Sequence, residues 1–90
     1  NGVNVVYQID SIICRSTELR RNKDREDIRK ILKKDALQLV INNDFLLVRD
    51  TLPLSEQPQI ILDTLLAVIS KADNIESRYT NGGDFGEEGN

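Results

Sequence analysis

LQLVINNDFLLV, residues 37–48, decides the fold. Leu37, Leu39, Val40, Ile41, Phe45, Leu46, Leu47 and Val48 are apolar, and wound as one helix they would cover it all round and demand burial on several sides. The rival is a hairpin, LQLVI paired with FLLV through Asn42-Asn43-Asp44. Two features favour the helix: the first strand would follow directly on the helical run Lys33-Lys34-Asp35-Ala36, and neither half alternates cleanly between apolar and polar. The expected element therefore starts at Asp24 as N-cap, with Asp27 reinforcing its positive end. It continues through Ile28, Ile31, Leu32, Ala36 and Leu39, kinks near Asn42–Asp44 and ends at Pro53.

The segments on either side also read as helical. Ile61, Leu65, Val68, Ala72, Ile75 and Tyr79 follow at steps of four and three, which puts them on one helical stripe that Leu62, Leu66 and Ile69 widen. Pro58 is tolerated in a first turn, and Asn81-Gly82-Gly83 marks the end near Tyr79. Upstream, Val5, Ile9, Ile12, Ser16 and Leu19 repeat the rhythm with Asn4 as a cap, although Val3, Val5, Tyr7 and Ile9 also alternate as a half-buried strand would. The expectation is an all-α fold, a small antiparallel up-down bundle of three to four helices over residues 1–80. Residues 81–90, rich in glycine and acid, are expected to be a mobile tail.

Ninety residues make one small domain, and its core must be aliphatic, because Tyr7, Phe45, Tyr79 and Phe85 are its only aromatics. With one cysteine there is no internal disulfide, and Cys14 between Ile13 and Arg15 reads as a small buried apolar group. No apolar run approaches the roughly 18 residues needed to span a bilayer. The chain has no methionine and opens on Asn-Gly, which suggests a processed chain or a piece of a longer one.

Few residues suggest catalysis. There is no histidine, no cysteine pair, no phosphate-binding glycine loop and no nucleophile elbow. Asp84-Phe85-Gly86 spells a kinase tripeptide without a kinase domain before it, and no stretch has calcium-loop spacing. Asp35, Asp44, Asp50 and Asp63 would have to meet in space to act as paired acids, and they read better as solvated surface. A non-enzyme with no cofactor is expected.

Charge is the chain's informative feature. Residues 14–34, CRSTELRRNKDREDIRKILKK, hold nine basic and four acidic side chains, net +5, in a protein of net charge −3. Arg25, Arg29 and Lys33 recur every four residues, Lys30 and Lys34 form the next row, and Arg20, Arg21 and Lys23 precede them. On a helix this makes a cationic stripe opposite Ile28 and Leu32. A solvated face, docking to an acidic protein surface, and phosphate neutralisation on a nucleic acid all remain open. The acidic total and the lack of aromatic stacking residues in the block count against nucleic acid.

Two segments carry a family likeness. KDALQLVINNDFLLVRDTL, residues 34–52, resembles the central helix of the PsbQ-like extrinsic proteins of photosystem II, through Leu46, Leu47, Arg49, Asp50 and Leu52. LDTLLAVISKADNIE, residues 62–76, is similar to the helix that follows there, through Leu62, Leu65, Leu66, Ile69, Ala72, Asp73 and Ile75. The likeness covers about half the chain. It departs from the family in having Val48 between the leucines and Arg49, no proline-rich arm and no room for a fourth helix after Tyr79. The resemblance implies a four-helix bundle in the thylakoid lumen that docks peripherally on photosystem II, supports oxygen evolution and performs no chemistry itself. The reading that results is an assembly subunit of a larger protein complex, docking through Arg20, Arg21, Lys23, Arg25, Arg29, Lys30, Lys33 and Lys34. The alternatives are a small nucleic-acid-binding accessory protein and a self-associating bundle using the last helical stripe.

Overall fold

The computed structural model describes residues 6–80. The chain is not an all-α bundle: it folds as a three-stranded antiparallel sheet with two helices. Strand β1 spans Val6–Arg15, helix α1 Asp24–Lys34, strand β2 Gln38–Asn42, strand β3 Phe45–Pro53 and helix α2 Pro58–Tyr79. The sheet order is β1-β3-β2, so β1 and β2 run parallel to each other with β3 inserted antiparallel between them. The expected cap Asn4 and the tail 81–90 lie outside the described residues.

The opening segment is therefore the hairpin, not a helix. Leu39 pairs with Val48, Val40 with Leu47, Ile41 with Leu46, and Asn42 with Phe45. The loop is Asn43-Asp44, and only Asn43 has positive φ, 57°, the pattern of a type II′ turn. Alternation is hidden in the sequence because both faces of β3 carry apolar residues. Leu46 and Val48 are fully buried beneath the helices, whereas Phe45 and Leu47 are half-buried on the other face. There Leu47 lies between Ile12 and Val40 in a cross-strand row, and Arg15 stands over the Phe45 ring at 5.2 Å.

Helix α1 ends at Lys34 instead of running on. Ala36 has φ 60°, its N–H bonds the Lys33 carbonyl at 3.1 Å, and the Leu37 N–H bonds the Leu32 carbonyl at 2.9 Å. These two bonds make a Schellman cap, which reverses the chain directly into β2.

The first expected helix is also a strand. A bulge between Ile12 and Cys14 slips the phase of β1, so Ile13 and Cys14 are both buried while Ile12 is 57% exposed. The false helical rhythm through Ile9 and Ile12 arises because Ile9 is buried under the helices while Ile12, also apolar, lies exposed on the sheet's other face. The last helix is found where its stripe places it, from Pro58 to Tyr79.

One core joins the layers: Ile9, Ile13, Cys14, Leu46 and Val48 from the sheet, Ile28 and Leu32 from α1, and Val68, Ala72 and Ile75 from α2. Full burial of side chains such as Ile28 and Leu32 stabilises by roughly 1.5–3 kcal/mol each. The sheet's other face is uncovered among the described residues. It carries an ion pair, Arg49 Nε to Asp10 Oδ1 at 2.8 Å, between directly opposed residues.

Candidate docking surface

Helix α1 presents the cations because its two faces differ so sharply. Ile28 and Leu32 are wholly buried, so Arg25, Arg29, Lys30, Lys33 and Lys34 are turned outward, and all five are exposed. Asp24, Glu26 and Asp27 open the helix and Lys33 and Lys34 close it, which suits its dipole at both ends. Only Arg29 of the five has a carboxylate within ion-pairing distance among the described residues. Its partner is Glu26, at 2.7 Å. Both side chains are about half exposed, and such a pair contributes little to stability.

The cap differs from expectation. Lys23 holds the N-cap position, and Asp24 is the first helical residue, 1% exposed. Its Oδ2 accepts the Arg21 backbone N–H at 3.0 Å, and its Oδ1 accepts Arg21 Nε at 3.0 Å. The buried carboxylate thus fixes the turn before the helix. Arg20 donates from Nη2 to the Thr80 carbonyl at 3.3 Å, and Leu19 bridges Thr80, so this loop is held to the end of α2.

Five of the eight expected residues are consequently divided among three hollows. Arg20 and Arg21 line a hollow of about 590 Å³ with Asp24, Arg78 and Tyr79. Arg21 and Arg25 line a second, about 290 Å³, with Ser16, Leu19 and Asn22. Arg29 and Lys33 form one wall of a third, also about 290 Å³, whose other lining residues are Leu37, Gln38 and Leu39 at the start of β2. Lys23, Lys30 and Lys34 line none of these three hollows. Arg78, Tyr79, Leu37, Gln38 and Leu39 were not foreseen. Arg78 was legible as a cation at a helix end, whereas the β2 residues required the hairpin.

The chemically capable groups are dispersed. Asp35 pairs with Lys71 of α2, Asp44 is exposed in the hairpin loop, Asp50 accepts the Thr51 N–H at 2.8 Å, and Asp63 accepts Gln59 Nε2 at 2.9 Å. No group of three or more His, Cys, Asp or Glu side chains among the described residues is placed to hold a metal. Cys14 is buried, and its thiol pKa is pushed up to about 11, first by burial and then by Glu18 and Glu76. It is a thiol, not a thiolate, at neutral pH.

No helix among the described residues is long and apolar enough to cross a membrane. No family model, curated protein or solved structure matches the chain. Of the two segments similar to the photosystem II extrinsic proteins, residues 34–52 fold mainly as the hairpin. The helical-bundle expectation is overturned by the sheet, and no comparison supports the photosystem II role or the thylakoid-lumen placement attached to it.

Proposed function

We propose that this domain is a docking module that holds a larger protein assembly through the outward face of α1. The observation that carries the reading is the set Arg25, Lys30, Lys33 and Lys34, exposed and without a carboxylate partner among the described residues, on a helix whose other face is locked into the core. A cationic face held rigidly by the core gives an acidic surface a salt-sensitive attraction and a defined orientation. The support for a role without bond-making is the dispersal of the carboxylates and the protonated, buried Cys14.

Retention on immobilised polyglutamate, measured against salt, tests the reading. The triple variant Arg25→Gln, Arg29→Gln, Lys33→Gln should elute at clearly lower salt than the parent, and Arg78→Gln should not. Equal elution of triple variant and parent would remove the docking face. Tighter retention on random duplex DNA than on polyglutamate at about 150 mM salt would move the assignment to nucleic acid.

Self-association has one observation in its favour. Ile60, Leu62, Leu65, Leu66 and Ile69 on the first half of α2 are 38–57% exposed. Sedimentation over a range of protein concentration tests it: a concentration-dependent dimer abolished by Leu62→Glu with Leu66→Glu would establish that surface as the contact.

A further inference from the structure

Among the described residues, strand β2 lies at one edge of the sheet and is hydrogen-bonded to β3 alone. The two-residue loop sets the phase of its free groups. Asn42 and Phe45 close the loop as a bonded pair, so Val40 and Gln38 also point their backbone groups at β3. Leu39 and Ile41 consequently direct their N–H and C=O groups to the open edge. Edge strands in folded proteins are commonly guarded by lysine, proline or a bulge. Gln38-Leu39-Val40-Ile41-Asn42 has none of these, and its pairing with β3 is regular throughout.

At the start of this edge lies the third hollow. Leu37 and Leu39 give it an apolar floor and Gln38 a polar one, while Arg29 and Lys33 of α1 supply a cationic wall. Backbone groups that need a partner, apolar side chains at alternate positions and two positive charges match an extended acidic segment better than a folded acidic surface. We infer that the partner contributes such a segment, which adds to β2 as a fourth strand between the sheet edge and α1. This rests on the docking reading above and specifies the partner's form. Side chains of the added strand alternate, so those on the helix side meet Leu39, Arg29 and Lys33 and should be apolar or acidic. The five residues of β2 give a segment of about five residues.

The test uses the peptide acetyl-Gly-Glu-Thr-Val-Thr-Glu-Gly-amide and two N-methylated forms, one blocked at Glu, Val and Glu, the other at both Thr positions. In an added strand, successive N–H groups point to opposite sides, so one methylated form should bind like the parent and the other roughly tenfold weaker or worse. Loss on blocking Glu and Val indicates an antiparallel strand, loss on blocking Thr a parallel one, and either supports the inference. Arg29→Gln with Lys33→Gln should weaken the parent peptide by a similar factor. Ile41→Pro, which removes one edge N–H at an exposed position, should weaken it with the circular dichroism spectrum preserved.

Salt-sensitive binding with both methylated forms equal to each other would overturn strand addition and leave the docking face standing. No peptide binding together with unchanged polyglutamate elution of the triple variant would remove both. No peptide binding with the polyglutamate result intact would remove the strand alone. A dimer of this chain that Ile41→Pro dissociates would also overturn it, by assigning the edge to a second copy.

Discussion

Ala36 is the residue at which helix gives way to sheet, and it does so at a cost. A side chain with a Cβ in the left-handed region is strained by roughly 1 kcal/mol, and glycine is not. Ala36→Gly should therefore stabilise the protein by about 0.5–1 kcal/mol in urea unfolding, whereas in a continuous helix the same change would destabilise by about that amount. The absence of a glycine here is why the helix stop was not legible from sequence. Asn43, by contrast, is a residue that tolerates positive φ, and Asn42-Asn43-Asp44 was already identified as the hairpin's candidate loop. Cys14 gives a second test. Its pKa of about 11 lies above the ordinary 9.0, because the folded state disfavours the thiolate. The stability this contributes is complete below about pH 9 and is lost as pH rises toward 11. Cys14→Ala should flatten that alkaline loss in a series of unfolding curves. Native protein should also react with a thiol reagent at pH 8 far more slowly than unfolded protein.

Among the elements, α2 was the most legible and β1 the least, for the same physical reason read in opposite directions. A 22-residue helix repeats its period often enough to be unmistakable, and Pro58 marks its start. Strand β1 has only ten residues, and its bulge puts Ile13 and Cys14 on the same side, so a period of two cannot be followed through it. The stripe on α2 nevertheless overstated the core. Val68, Ala72 and Ile75 are buried, but Leu65 is 38% and Leu66 57% exposed, and toward the start of the helix Ile61 is only partly buried against the core. Leu66→Ala should then cost less than about 1 kcal/mol, whereas Leu32→Ala in α1, at 0% exposure, should cost roughly 2–5 kcal/mol. Equal losses in thermal unfolding would mean that both helices are covered alike, as in a bundle.

At the scale of the whole molecule, the fold converts a charge run into a surface. The cationic stripe of α1 was readable from spacing, since Arg25, Arg29 and Lys33 needed only a helix opposite Ile28 and Leu32. What was not readable is that Arg20 and Arg21 would be drawn away to the end of α2, and that Arg29 and Lys33 would face β2. The first follows from the long-range Leu19–Thr80 bridge, which leaves no local trace, and the second from the left-handed turn at Ala36, which no glycine marks. The hairpin is thus the premise of the groove, the open edge and the direction in which α1 points. Nuclear Overhauser contacts between α-protons across β2 and β3 test it most directly. Leu39–Val48 and Ile41–Leu46 are opposed without mutual backbone bonds, the arrangement in which α-carbons approach to about 4.5 Å. Strong α-proton contacts are expected at both pairs. Their absence, with continuous helical contacts between residues three apart from Ala36 to Val48, would contradict the account.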